Sequence, residues 1–411
     1  MLLNYIWIGF FLVAFAVAVA SFLFTGDAQV FKNIIDATFA SAKMAVIDIA
    51  LPLAGVMTLW LGLMNVGEKA GAIRFLSRIV GPFFHKLFPE IPPDHPATGQ
   101  LMLNFSANML GLDNAATPLG LKAMESMQAL NPDKETASNA QIMFLAINTS
   151  GLTLIPIAVL AQRAILGAAN PTDIFIPLLI ATYCSTLGGI LYVAFKQKIN
   201  LFNKTVLGWL GGITAFIGGL LVYCLSLEPE QLARFSNIAG NGILLLVITA
   251  FIGGGLYKRI NVYEAFIDGA KDGFSTTVKI IPYLIAMLVG IAVFRASGAM
   301  DYLVEGLGRG FALLGLNTDF TGALPTAFMK PLSGSGAKAM MIEAMNNYGP
   351  DSFVGRLSCI FQGSADTTFY IIALYFGSVG IRKTRYAVQA GLIADLIGVI
   401  AAILVAYVFF H

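Results

Sequence analysis

The sequence predicts an all-α integral membrane protein, with about nine transmembrane helices and two re-entrant helical hairpins, arranged as two inverted repeats. Three observations carry that prediction. Of 411 residues, 57% are hydrophobic and 12% charged. That is about half the charged fraction of a soluble domain, which is roughly 25%. The mean hydropathy is +0.78, and apolar runs of spanning length recur along the whole chain. The chain also says nearly the same thing twice. Residues 119–124 read Leu-Gly-Leu-Lys-Ala-Met and residues 335–340 read Ser-Gly-Ala-Lys-Ala-Met, which sets Lys122 and Lys338 216 residues apart. At that offset Asn148-Thr149-Ser150 falls on Ser364-Ala365-Asp366, while Ile35-Asp36 falls on Ile267-Asp268 at an offset of 232. One insertion of about 16 residues, in the proline-rich stretch 83–98, reconciles the two offsets and points to a duplicated half.

The elements follow in order. The run 2–24 lacks a basic n-region and a good cleavage site, so it reads as a retained first helix and not as a signal peptide. The predicted spans are 4–24, 44–66, 140–162, 173–195, 206–226, 239–257, 279–295, 354–378 and 387–410. Residues 30–44, 262–278, 70–87 and 300–314 are amphipathic and read as interfacial. Segments 99–127 and 318–345 are too polar and glycine-rich for ordinary spans. Each is long enough for two half-length helices and a turn. Broken backbone at membrane depth is tolerated only inside protein or beside a water-filled cavity, so both read as hairpins.

Basic residues orient this layout. With the N-terminus cytoplasmic, most of the 25 Lys and Arg fall in cytoplasmic segments, as positive-inside requires. The C-terminus is then expected to lie outside. The chain divides into a first repeat (1–200), a linking transmembrane helix (201–230) and a second repeat (231–411). The link makes the parity odd, so the halves run inverted and the hairpins enter from opposite faces. Such an arrangement places a binding site near the midplane, where the hairpin tips meet.

Polar residues gather where they are expensive. The first hairpin tip carries Asn104, Ser106, Asn108, Asp113, Asn114 and Thr117, and the second carries Lys330, Ser333 and Ser335. Span 140–162 contains Asn148, Thr149 and Ser150, and span 354–378 contains Gln362, Ser364, Asp366 and Thr367. An ionisable group at the bilayer centre costs at least ~2.5–3.5 kcal/mol, so Asp366 and Lys330 require partners or a polar cavity. Thr117-Pro118 fits a helix start, with Thr as N-cap and Pro at N1. Ser333 or Ser335 could cap the second hairpin's outgoing helix. Such helix ends suit an anionic group of a solute. Asn and Asp oxygens with unwound carbonyls suit a hard cation. Asp366 and Asp113 are the candidates for the coupling ion or proton.

Blander readings stand beside these. Asn, Ser and Thr in membrane helices often only bond a neighbouring helix. Asp366 and Lys330 could form a structural ion pair. Lys122 and Lys338 read as snorkelling, and Cys184, Cys224 and Cys359 as packing residues. The net charge of +2 is too small to suggest nucleic acid. Without a complete P-loop, a Gly-x-Ser-x-Gly, a His-Glu-x-x-His or a Cys-x-x-Cys, the chain does not read as an enzyme or an ATP-driven pump.

Residues 104–124, Asn-Phe-Ser-Ala-Asn-Met-Leu-Gly-Leu-Asp-Asn-Ala-Ala-Thr-Pro-Leu-Gly-Leu-Lys-Ala-Met, resemble the signature of spore maturation protein A. Residues 331–337, Pro-Leu-Ser-Gly-Ser-Gly-Ala, and 363–370, Gly-Ser-Ala-Asp-Thr-Thr-Phe-Tyr, resemble spore maturation protein B. The chain looks like a fusion of the two. That family is grouped with the nucleoside recognition, or gate, domain, alongside concentrative nucleoside transporters. The resemblance implies a transporter-like architecture related to theirs, with paired hairpins, and leaves the substrate open. The function expected is secondary transport of a small polar solute, such as an amino acid, a nucleoside or a related metabolite, through a site between the hairpin tips. No cofactor is expected beyond sodium or proton coupling. The partners expected are the solute and membrane lipid, with room for a homo-oligomer. The alternatives are an ion-conducting channel-like protein and a non-transporting membrane scaffold in a spore-maturation-type role.

Overall fold

The computed structural model describes residues 2–92, 95–111 and 113–411, apart from the side chains of a few helical residues, Asp113 and Asn114 among them. Every regular element among the described residues is helical. The chain opens with α1 (Leu2–Thr25). It continues into α2 (Gln29–Met44), a π-helical stretch (Ala45–Ala50) and α3 (Leu51–Ala70). After Gly71 comes the amphipathic α4 (Ala72–Leu87). Then α5 (Pro96–Met109) and α6 (Asp113–Leu130) form a hairpin, α7 (Asn139–Ser150) and α8 (Ile157–Ile165) form a broken pair, and α9 (Phe175–Gln197) closes the series. Helix α10 (Lys204–Leu225) intervenes. The same order then recurs with α11 (Pro229–Tyr257), the long α12 (Val262–Ala296), Gly298 and the amphipathic α13 (Ala299–Leu313). A second hairpin, α14 (Leu324–Met329) and α15 (Gly334–Tyr348), precedes a second broken pair, α16 (Phe353–Gly363) and α17 (Thr368–Ser378), and the final α18 (Ala387–Phe410).

The nine expected spans resolve differently. Six unbroken helices are long and apolar enough to cross a bilayer among the described residues, or seven if the bent pair Leu284–Ala296 and Ala299–Leu313 (74°) is one span. Expected spans 140–162 and 354–378 are each two short helices. Their flanks are apolar enough to hide an interruption at Gly151–Pro156 and at Ser364–Thr367 when hydropathy is averaged over a window. Segments 30–44 and 262–278 are not separate interfacial helices. The first is continuous with α3 in one helix of 42 residues, and the second is the start of the 35-residue α12. Pro52 and Pro282 lie close to the two junctions, but neither stops the helix, and propagation costs less than starting a new helix. Segments 70–87 and 300–314 do stand apart as α4 and α13, each set off by a glycine in the left-handed region (Gly71 φ 95°, Gly298 φ 84°).

Packing divides the chain into two compact units. The first contains Met1–Trp60, Ala158–Pro171 and Ala270–Gln362; the second contains Leu61–Ile157, Thr172–Gly269 and Gly363–His411. The division cuts across the two series. The second unit keeps the first hairpin with α7 and takes α17 from the later series. The first unit keeps the second hairpin with α16 and takes α8 from the earlier one.

In the second unit the core is aromatic and aliphatic, with Phe84, Phe105, Met124, Phe144, Ile190 and Tyr375 all buried. Helix α18 runs along α9, where Gly188 and Gly189 meet Ile397 and Ala394; small residues let membrane helices approach closely. The loop leaving the first hairpin is stapled to the loop leaving α17. Ala137 N donates to Lys383 O (3.0 Å), Arg382 N to Glu135 O (2.9 Å) and the Arg385 guanidinium to Ala137 O (2.9 Å).

The first unit has an analogous staple. The loop leaving the second hairpin is held by Arg163, at the end of α8, which is fully buried. Its guanidinium donates to Pro350 O, to Asp351 Oδ1 (3.0 Å), to Asn170 O (3.2 Å) and to Pro171 O (3.2 Å).

Candidate functional site

The polar centre of the second unit is built by the way α7 ends. The helix starts on a capping box, with Ser138 Oγ accepting from Gln141 N (3.3 Å) and Gln141 Oε1 accepting from Ser138 N (2.8 Å). Its far end passes into Gly151, whose φ of 49° turns the chain out of the helix, and Pro156 has no N–H with which to resume it at once. Terminal carbonyls are thereby released. Three carbonyls at this end are caught by neighbours. Thr149 O accepts from Asp366 N at 2.7 Å. Gly151 O accepts from Thr182 Oγ1 at 2.9 Å, and Ser150 O from Thr186 Oγ1 at 3.4 Å, both on α9. The break in the first pair and the break in the second therefore lie against each other, inside one unit.

The tip of the first hairpin closes onto the same place. Asn108 Nδ2 donates to Asn148 Oδ1 at 2.8 Å, and Asn148 Nδ2 donates back to Phe144 O at 2.9 Å. Leu154 N, in the break, donates to Met109 O at 2.8 Å. Asn104, fully buried, clips the two hairpin arms by donating to Ala116 O at 2.8 Å. Ser106 is fully buried beside it. Only glycine suits the turn at Gly111. Its φ is 70°, and an added Cβ would lie 3.0 Å from Ile155 O.

The expected helix start at Thr117-Pro118 is a correction. Helix α6 begins at Asp113, Pro118 lies inside it, and Thr117 is a half-buried helical residue. The hairpin turn is short, so the helix resumes as soon as Gly111 has reversed the chain. Asp113 and Asn114 open α6, but their side chains lie outside the described residues.

Asn148, Thr149, Ser150, Ser364 and Thr367 are buried. Asp366 is exposed, and its Oδ1 accepts from Thr367 N at 2.7 Å. Thr149 and Ser150 hydroxyls bond back to Ala146 O (3.2 Å) and Ile147 O (3.1 Å). Both hydroxyls thus donate to carbonyls of their own helix, the back-bonding that serine and threonine commonly make in helices.

The sequence reading missed Thr182, Ser185 and Thr186 on α9, and Asp395 on α18. Asp395 is 6% exposed and accepts from Thr368 Oγ1 at 2.7 Å through Oδ2. The signal for it was available, since it is the one charged residue in α18 and an acid within a span is a functional candidate by default.

The remaining predicted residues lie in the first unit. Ser333 is the N-cap of α15 and accepts from Gly336 N at 3.0 Å; Ser335 Oγ lies 3.2 Å from Ser333 Oγ. Gln362 Nε2, at the end of α16, reaches Gly334 O at 3.5 Å. Lys330 is buried at the tip. Hairpin tip and helix end thus meet here too, through a cap instead of paired amides. Lys122 is exposed on α6, in keeping with snorkelling, but Lys338 is half-buried on α15 between Ala337 and Ala339, both fully buried. Gly336, Ala337, Ala339, Met340 and Met341 are all buried, so α15 is packed on most sides here and the Lys338 stem is partly covered. The first unit also contains a cavity of about 340 Å³, where Ser41, Arg295, Glu343 and Asn346 meet apolar walls of Met44 and Leu288. Arg295 donates to Glu343 Oε2 at 3.0 Å and to Asp301 Oδ1 at 3.2 Å.

Chemically, the second unit's centre offers amides, hydroxyls, released carbonyls and two carboxylates. This oxygen-rich set suits polar solutes and hard cations.

The family model described as Gate, nucleoside recognition, matches residues 50–166 and 277–382. Spore maturation protein B of Bacillus subtilis (strain 168) is 42% identical over 174 residues, 41% of this chain and 96% of that protein. Spore maturation protein A of the same organism is 42% identical over 200 residues, 48% of this chain and 98% of that protein.

Proposed function

Since the chain belongs to the nucleoside recognition gate family, we propose that it is a secondary transporter of a small polar solute, with the polar centre of the second unit as its site. One observation carries the reading. The first hairpin tip and the two matched breaks converge there, through Asn108 on Asn148 (2.8 Å) and Asp366 N on Thr149 O (2.7 Å). Buried polar groups gathered at interrupted membrane helices are what a solute pathway requires and what lipid-facing helices avoid. The helical series that occurs twice supports a reading of the chain as two inverted repeats joined by α10. On that reading it resides in a bacterial inner membrane with its N-terminus cytoplasmic. Sodium or a proton supplies the driving gradient.

The test uses purified full-length protein in liposomes, offered labelled amino acids and nucleosides under sodium or proton gradients. Saturable, gradient-driven accumulation is expected. Asn148→Ala removes the side-chain bonds to Asn108 and to Phe144 O and should lower it at least about tenfold, the equivalent of roughly 1.4 kcal/mol or more. Absence of accumulation for every candidate, or steady single-channel currents in its place, would refute the proposal.

A further inference from the structure

We propose, building on that transport reading, that Asp395 is the carboxylate at which a monovalent cation, a proton or a sodium ion, binds in the second unit. Asp395 sits eight residues into α18, about 12 Å along its axis, and is the one charged residue of this 24-residue apolar helix. Its side chain is 6% exposed. Burying an acid at that depth is costly, and such residues usually mark ion or proton pathways.

The surroundings fix the carboxylate in place. Oδ2 accepts from Thr368 Oγ1 at 2.7 Å. Thr368 is the first residue of α17, so the N-terminal N–H groups and positive dipole end of an 11-residue helix are close by. On α9, Ser185 Oγ donates to Ala394 O at 2.9 Å. One turn further along α18, Gly398 faces Ser185 and the carbonyl of Ser364. Thr368 Oγ1 on the carboxylate, and the hydroxyl and carbonyl oxygens one turn along the helix, are oxygens of the kind hard cations take as ligands.

Charged and titratable groups on the helices packed against α18 are few. Helix α7 carries none. On α9, the Tyr183 hydroxyl bonds Thr214 on α10, Cys184 is half-buried, the Tyr192 hydroxyl bonds Gln389, and Lys196 lies over the Tyr192 ring near the helix end. On α17, Tyr370 is exposed and Tyr375 packs on Phe144; Asp366, just before it, is exposed. On α11, Glu230 and Arg234 lie near its start and Tyr257 ends it. On α18 itself, Tyr407 is three turns beyond Asp395. Asp395 is thus the buried acid of this centre.

The step is simple. A proton adds to one carboxylate oxygen and neutralises it, and departure of the proton restores the carboxylate. Sodium binds with no bond broken. Neutralising Asp395 removes the attraction between its charge and the start of α17, the element whose preceding break meets Thr149. Cation binding is thereby linked to the polar centre.

The experiment follows the thermal midpoint of full-length protein in detergent. One arm varies sodium chloride at fixed pH, with choline chloride holding ionic strength. The other arm varies pH at fixed sodium. A ligand that binds the folded state raises the midpoint with its concentration. The wild-type response that Asp395→Asn diminishes identifies the cation; Asp395→Asn keeps an acceptor for Thr368, and the other titrating groups give both proteins the same pH background. If Asp395→Asn does not fold, Thr368→Val, which retains the carboxylate, should shift the half-saturating cation concentration about threefold or more. Sodium and pH responses both undiminished in Asp395→Asn, an unchanged half-saturation in Thr368→Val, or a wild type that responds to neither cation overturns the proposal. None of these measurements needs a solute, so failure of the transport reading in liposomes is scored separately.

Discussion

In the first hairpin, arms of 14 and 18 residues meet at Gly111, and paired side-chain amides fasten the tip to the end of α7. In the second, the incoming arm has 6 residues and the outgoing one 15, and a hydroxyl cap takes the place of the amides. The staples behind them differ too. Arg163 in the first unit is fully buried, whereas Arg385 in the second is exposed. Two segments of similar pattern thus reach similar shapes by unlike bonds. A hairpin in a membrane needs its turn carbonyls and N–H groups satisfied, and either side chains or caps can do that.

The contrast can be broken at four points, from the largest effect to the smallest. Arg163→Met should be the most damaging, at about 3–5 kcal/mol, because it leaves the carbonyls of Pro350, Asn170 and Pro171 without their buried donor, while Asp351 keeps the N–H of Ala169. A large fall in the detergent thermal midpoint and in folded yield is the expected outcome; a shift within experimental scatter would mean that the staple is dispensable.

Gly111→Ala comes next. A non-glycine residue in the left-handed region costs about 1–2 kcal/mol, and contact with Ile155 O adds to that. Gly336→Ala in the second hairpin should be nearly neutral by comparison. Its new methyl would meet Met329 Cε and Met287 Cε, both flexible ends, with Ser333 Cβ at 3.2 Å, and alanine is favoured over glycine in a helix by about 1 kcal/mol. Equal losses at the two glycines would dissolve the distinction between the turns.

Asn108→Ala and Asn148→Ala should be coupled by about 0.5–1.5 kcal/mol in a double-mutant cycle of thermal stability. Additive losses would mean that the 2.8 Å bond between them carries no net energy. Arg385→Ala should change stability by no more than about 0.5 kcal/mol, as for an ordinary surface substitution. A loss matching Arg163→Met would show that exposure is a poor guide to these staples.

Both hairpins were legible from the sequence because polar, glycine-rich residues interrupt apolar runs at matched offsets. The precise start of α6 was not. Thr117-Pro118 is a good cap-and-N1 pair, but the tight turn at Gly111 lets the helix begin at Asp113, and the proline is accommodated inside. The breaks after Ser150 and before Thr368 were marked by their polar residues yet read as continuous spans, because a hydropathy average over some twenty residues is insensitive to a four- to six-residue gap. Asp395 escaped for the same reason, as one acid among apolar neighbours. The π-helical stretch at Ala45–Ala50 has no sequence signature at all.

The amino-acid order alone determined the membrane class, the doubled series of elements, the placing of both hairpins and the polar clusters around Asn148 and Asp366. These follow from composition, hydropathy and periodicity, which are sums over neighbours in the chain. Only the tertiary structure decided that Thr149 O would take the N–H of Asp366, that Asn108 would bond Asn148, that Thr182 and Thr186 would catch the carbonyls α7 releases, and that Asp395 would be bound by Thr368. The physical reason is that a broken helix states how many backbone groups need partners, whereas the identity of those partners depends on which distant segments packing brings within about 3 Å.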